Sequence, residues 1–133
     1  MSITLRYEIS PPLTNEALNA LFAAAWQNHT PYDFQVRLRC SLLYVAALSQ
    51  EQLVGFVNVA WDGGIHAFLL DTTVHPDFQH KQIGTQLVRM ATLAAKERGI
   101  EWLHVDYEPH LEGFYQRCGF RPTHAGLLRL TEE

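Results

Sequence analysis

The chain has 133 residues, about one domain's length. With 47% hydrophobic and 18% charged residues it can bury a core, which excludes a disordered chain. Ten Lys and Arg against fourteen Asp and Glu leave a formal charge of -4, which argues against a general nucleic-acid binder because such proteins carry a basic footprint. No apolar run approaches the roughly 20 residues of a membrane span, and the start from Met1 to Arg6 has no apolar signal core. Cys40 and Cys118 form no CxxC and no disulfide framework, so a reducing cytoplasm is the expected compartment.

In chain order, Thr4 to Ile9 reads as a strand, broken by Ser10-Pro11-Pro12. Thr14 or Asn15 can cap a helix whose Leu18, Leu21, Phe22, Ala25 and Trp26 recur at helical spacing. His29-Thr30-Pro31-Tyr32 interrupts it, and Phe34 to Cys40 reads as a second short helix. Leu42 to Leu48, Leu53 to Trp61 and Ala67 to Val74 read as three strands. They are joined by Ser49-Gln50-Glu51-Gln52 and by Asp62-Gly63-Gly64, which predicts an antiparallel meander. After Pro76 the period becomes helical through Ile83, Leu87, Met90, Ala91 and Ala94, with Gly99 as the stop. Trp102 to Tyr107 reads as a strand, and Leu111, Phe114, Tyr115 and Cys118 as one face of a short helix ended by Gly119. Phe120 to Thr123 and Gly126 to Leu130 read as late strands. The expected order is βααβββαβαββ, an α+β fold with a mixed sheet, in one domain over residues 1–133.

The segment from Val74 to Thr85 joins a strand directly to the long helix. A helix N-terminus presents unpaired N–H groups and partial positive charge, which suit phosphate oxygens. Gly84 lets a ligand approach the first turn, Lys81 adds charge, and Gln79, Gln82 and Thr85 add donors. Neither a Walker loop nor a dinucleotide fingerprint is present. From these residues alone an ordinary polar turn capping a helix is an equal reading.

Two motifs together resemble the Gcn5-related N-acetyltransferase (GNAT) superfamily. Gln79-His80-Lys81-Gln82-Ile83-Gly84, preceded by Val74-His75-Pro76, resembles its acyl-CoA loop. The run from Leu111 to Phe120 resembles its last helix and turn. The likeness extends from about Leu43 to Leu130. Gln82 and His80 stand where the family often has glycine, and Glu108 where it often has asparagine.

The resemblance implies a GNAT-like fold of mixed, mostly antiparallel sheet flanked by helices. It implies acetyl-CoA as cosubstrate, with its pantetheine against the strand near Val74 and its pyrophosphate on the loop from Gln79 through His80, Lys81, Gln82, Ile83 and Gly84 to Thr85. The implied reaction is direct attack of a primary amine on the thioester, with a small molecule as the expected acceptor. A protein or peptide acceptor, or a non-catalytic acyl-CoA sensor, are the alternatives. Tyr115 matches the family's tyrosine and is the candidate acid for the departing thiolate; the plain alternative is a packed core tyrosine.

Asp71 and Asp106 each sit in an apolar stretch, where a carboxylate is costly unless partnered or facing a wet cleft. Both are candidates for the base and for holding an ammonium group, with a structural carboxylate as the alternative. His66 and His104 are further candidate bases. Trp26 and Tyr32 are candidate acceptor contacts beside His29, Asp33, Phe34 and Trp61, since aromatics near acids suit a cationic amine. No metal is expected, although His75, His80 and His110 form a conceivable set. The expected partners are acetyl-CoA and an amine, with a second copy of the chain as a further candidate, and neither nucleic acid nor membrane.

Overall fold

The computed structural model describes residues 4–131; the signal-free start expected over Met1–Ile3 lies outside the described residues. β1 (Leu5–Ile9) is followed by α1 (Asn15–Ala25), α2 (Phe34–Arg39), β2 (Ser41–Ser49), β3 (Gln52–Trp61) and β4 (His66–Val74). A 3-10 turn at Pro76–Phe78 leads to α3 (Ile83–Glu97) and β5 (Trp102–His104). A second 3-10 turn at Pro109–Leu111 leads to α4 (Glu112–Arg117). The five strands form one mixed, mostly antiparallel sheet in chain order, with β5 alone parallel to its neighbour β4.

Alternation along the strands, reset by a bulge between Leu53 and Gly55 where β3 pairs with Ala47 and Leu48, builds two apolar layers. Leu43, Val45 and Ala47 of β2 and Val54, Val57 and Val59 of β3 point to one face, where Ile83, Leu87, Val88, Ala91 and Ala94 of α3 cover them. Ala46 of β2 and Leu53 and Phe56 of β3 point to the other face, where Leu18, Leu21 and Phe22 of α1 and Phe34 at the start of α2 cover them. Thr14 caps α1 by accepting from the Ala17 N–H at 3.1 Å. Gly55 decides how closely α3 approaches. A Cβ there would stand 3.0 Å from Leu87 Cδ1 and 3.1 Å from Ile83 Cγ2, so the glycine seats the first turns of α3 directly on the central strand.

Two irregularities shape the functional end. On the β3–β4 ladder Phe56 pairs with Thr73 and Asn58 with Leu70, so Asp71 and Thr72 together oppose Val57. That is a β-bulge, and Asp71 takes a left-handed φ of 62° within it. β4 and β5 then pair only over His66↔Trp102, Ala67↔Leu103 and Phe68↔His104. Beyond Phe68 the two chains part, leaving the second half of β4 open along that edge.

The C-terminal third departs from the expected pattern. β5 ends at His104 rather than at Tyr107, and neither Phe120–Thr123 nor Gly126–Leu130 forms a strand among the described residues. A strand needs a ladder partner for its backbone groups, and the sheet among the described residues ends at β5 without a strand from residues 121–131. Leu127, Leu128 and Leu130 are 87%, 80% and 87% exposed. No helix among the described residues is long and apolar enough to cross a membrane.

Candidate active site

The opening between β4 and the chain after β5 is bounded at one end by the loop into α3. Two residues of that loop, His80 and Gln82, have left-handed φ values of 65° and 64°. These are the positions where the sequence carries a side chain in place of glycine, and the backbone keeps the glycine-like geometry. Gln82 is the N-cap residue of α3, yet its side chain makes no capping hydrogen bond. The amides of Ile83, Gly84 and Thr85 therefore lack both a helical acceptor and a side-chain cap, and the positive end of a 15-residue helix is left open.

The side chains of the loop divide by role. Ile83 is buried in the core, so only its backbone is presented. Lys81, His80 and Gln82 are exposed. Gln79 is used within the protein, its side-chain amide donating to the Val74 carbonyl at 3.3 Å, which clips the loop to the end of β4. Gly84 faces inward: a Cβ there would lie 3.5 Å from Phe114 and 3.9 Å from Val74. Thr85 borders a depression of about 220 Å³ between α3 and α4, lined also by Arg89, Thr92, Arg117 and Cys118. Arg89 and Arg117 were not singled out from the sequence. Arg89 follows Thr85 by four residues, on the same helical face, so its placement beside the loop was legible.

Tyr115 lies across the opening on α4. It is 6% exposed, stacked on Tyr107 with centroids 5.0 Å apart, and flanked edge-on by Phe114 and Phe120. Gly119, with φ of 102°, ends α4 so that the Phe120 N–H returns to the Tyr115 carbonyl at 3.0 Å. Burial pushes the phenol above its ordinary pKa, with the charges of Cys118 and Asp106 adding to the rise, while the Thr72 hydroxyl beside it pulls the other way. The phenol thus holds its proton at neutral pH. Burial also pushes the Cys118 thiol up, which keeps it a thiol and not a nucleophile.

The two candidate carboxylates stand in different surroundings. Asp71 is ion-paired, accepting from the Arg37 guanidinium at 3.0 Å. Arg37 in turn lies 4.4 Å over the ring of Tyr32. Tyr32, Arg37 and Asp71 form a chain along the α2 side of the sheet, and Arg37 is the member that no local sequence signal marked. Asp106 is exposed and lies beyond the end of β5, where its charge reaches the Tyr115 phenol. Asp71 therefore sits in its strand with a charged partner, while Asp106 lies past the end of β5 and faces solvent.

Trp26 is 53% exposed and donates from its indole N–H to Thr73 Oγ1 at 3.3 Å, which places it over the far end of β4. Phe34, in contrast, is core. His29 and Asp33 are structural: His29 bonds Asn19 at 2.7 Å, and Asp33 caps α2. His66 and His104 bond each other at 2.9 Å, at the closed end where β4 and β5 still pair, away from Tyr115. His75 accepts from the Asp77 N–H, and no three His, Cys, Asp or Glu residues gather as a metal set among the described residues.

Comparison with known proteins identifies the family and the fold. The acetyltransferase (GNAT) domain family matches residues 40–122. An uncharacterized N-acetyltransferase ycf52-like protein of Prochlorococcus marinus is 30% identical over 104 residues, 75% of this chain and 58% of that protein. The chain spans less than two thirds of the length of the curated relatives it matches. Among solved structures, a GNAT-family acetyltransferase of Streptococcus pneumoniae superposes with a TM-score of 0.78 at 23% identity, covering 98% of this chain and all of that one. The aminoglycoside N-acetyltransferase AAC(6')-Iy in complex with CoA superposes with a TM-score of 0.75 at 15% identity, covering 98% and 97%. With most of its length matched by that family and its fold shared with those structures, the chain belongs to the GNAT acetyltransferases.

Proposed function

We propose that the chain transfers an acetyl group from acetyl-CoA to a primary amine of a small molecule. The observation that carries this reading is the convergence of three features at one opening in the sheet: the uncapped N-terminus of α3, the free edge of β4, and the protonated phenol of Tyr115. The residues fit such a cosubstrate. Backbone amides of Gly84 and Thr85 take the pyrophosphate, with Lys81 adding charge. Arg89 and Arg117 supply positive charge to the neighbouring depression for the phosphate of the adenosine end. Acetyl-CoA supplies an activated acyl group as a thioester.

The chain's own groups then have separate tasks. Tyr115 gives its proton to the leaving sulfur. Asp106 draws in the ammonium group and accepts its proton, directly or through water. Asp71 orients Arg37 and so shapes the acceptor side, together with Tyr32 and Trp26. Because Arg37 matches the charge of Asp71, the attraction for a cationic amine rests on Asp106. We propose the cytoplasm as the compartment, on the free thiols of Cys40 and Cys118.

The test is thiol release from acetyl-CoA across a panel of cationic small amines, neutral aromatic amines and lysine peptides. Turnover highest with cationic small amines supports the proposal. Turnover highest with peptides transfers it to a protein acetyltransferase. Binding of acetyl-CoA without turnover of any amine contradicts catalysis and leaves a sensor.

A further inference from the structure

Two strands that run parallel bring two imidazoles together at the closed end of β4 and β5. His66 lies opposite Trp102 and Phe68 opposite His104, so these four side chains share one face of the sheet. The core of α1 and α2 covers that face over β2 and β3, while Phe68 and Trp102 stay 40% and 52% exposed. His66 Nδ1 and His104 Nε2 stand 2.9 Å apart. The His104 ring is stacked on Phe68, with centroids 4.8 Å apart and planes inclined by 22°. Both rings are therefore carried on paired backbone, and one is braced by an aromatic neighbour.

The separation of the two nitrogens suits more than a hydrogen bond. At metal–nitrogen distances of about 2.0–2.1 Å, two ligands at a right angle lie about 2.9 Å apart, and two at the tetrahedral angle about 3.3–3.4 Å. A right-angled edge belongs to tetragonal ions such as Cu2+ and Ni2+, for which imidazole is a suitable ligand. The hydrogen bond between the rings uses one proton. The outer nitrogens, His66 Nε2 and His104 Nδ1, have no hydrogen-bond partner among the described residues. Through solvent, the donor ring can move its proton to its outer nitrogen, which leaves a lone pair on each facing nitrogen.

Charge agrees with this geometry. Residues 61–75 and 99–108 carry no Lys or Arg, while Asp62 and Glu101 flank the two strands. Asp62 Oδ1 accepts from the His66 N–H at 3.4 Å, which keeps a negative charge beside the pair. No third His, Cys, Asp or Glu joins the two rings among the described residues, so water fills the other coordination positions.

We propose that His66 Nδ1 and His104 Nε2 together bind a divalent transition ion of tetragonal preference, Cu2+ or Ni2+. β5 is held to β4 over three residue pairs, and the bound ion ties the two strands together there. The site is separate from the opening at Tyr115 and involves no acyl-CoA.

The experiment is isothermal titration of Cu2+ and, separately, of Ni2+ into the full chain in a non-chelating buffer, for the wild type, His66→Gln and His104→Gln. Circular dichroism checks that the variants keep the fold. Proton NMR of the wild type with substoichiometric Cu2+ locates the ion without any variant. The wild type binds both ions, and each variant binds them about tenfold or more weakly, since each loses a direct ligand. Paramagnetic broadening reaches the ring signals of Phe68 and Trp102 before those of His75 and His110. A wild type that binds neither ion overturns the proposal. So do equal affinities in the wild type and both variants, or broadening that starts at other histidines.

Discussion

Tyr115 is nearly buried, and the proposed reaction uses its hydroxyl at the opening of the sheet, which a core role alone does not require. Tyr115→Phe keeps the stacking on Tyr107 and removes only the proton. Turnover should fall by about 10²–10⁴-fold while acetyl-CoA affinity barely changes, as separate titration and steady-state measurements would show. The two carboxylates should separate by readout. Asp71→Asn weakens a partly exposed ion pair with Arg37 and should cost about 1 kcal/mol in denaturant unfolding. Asp106→Asn should leave stability unchanged and reduce turnover of cationic amines more than of neutral ones. If the neutral amines lose as much, Asp106 has no part in drawing in the ammonium. Burial raises three phenols, Tyr7, Tyr44 and Tyr115, above the ordinary value of 10.0. The folded state therefore holds these protons more tightly than the unfolded state. Their contribution to stability is complete below pH 10 and is lost as pH rises through the folded-state values, so these phenols lower the melting temperature on the alkaline side, above about pH 10. An alkaline decline that begins near neutrality, well below the range of these phenols and of the raised Cys118 thiol, would show that other groups dominate.

At the level of elements, the bulge at Asp71–Thr72 and the loop at His80–Gln82 are two interruptions of regular structure at the opening between β4 and the chain after β5. Each left-handed non-glycine residue carries roughly 1–2 kcal/mol of backbone strain. Gln82→Gly relieves that strain and adds freedom to the unfolded chain worth about 0.4–1 kcal/mol in the opposite sense. The net expectation is a protein equally stable or up to about 1.6 kcal/mol more stable in thermal or urea unfolding, although a glycine has been placed at the start of a helix. A loss of stability would mean that the Gln82 side chain makes a contribution not evident in its uncapped geometry. α3 itself is held by ordinary packing, its inner face set on Gly55, so the loop is presented by a rigid support.

Over the whole molecule, the meander, the long helix and the loop were legible because they follow local rules: alternating strands, tight turns, a helical period and a helix start after a strand. The two-layer core follows from the same alternation. The pairing of Arg37 with Asp71 was not legible, because it joins positions 34 residues apart through tertiary packing alone. Trp26 reads equally as core or as surface in a helical pattern, and only its position at the end of α1 turns it outward onto Thr73. The late strands misled for a physical reason: Leu127, Leu128 and Leu130 have a strand's composition, but a strand also needs an edge to pair with, and sequence does not say where that edge is. The central claim is that acetyl-CoA sits on the amides at the start of α3, where Gly84 faces Phe114 and Val74. Isothermal titration of acetyl-CoA into the wild type and into Gly84→Val tests it most directly. The account predicts one site per chain in the wild type and affinity at least tenfold weaker in the variant, about 1.4 kcal/mol or more, because the added branches press on Phe114 and Val74 and push the first turn of α3, with its amides, out of place. Equal affinities in the two proteins would contradict it.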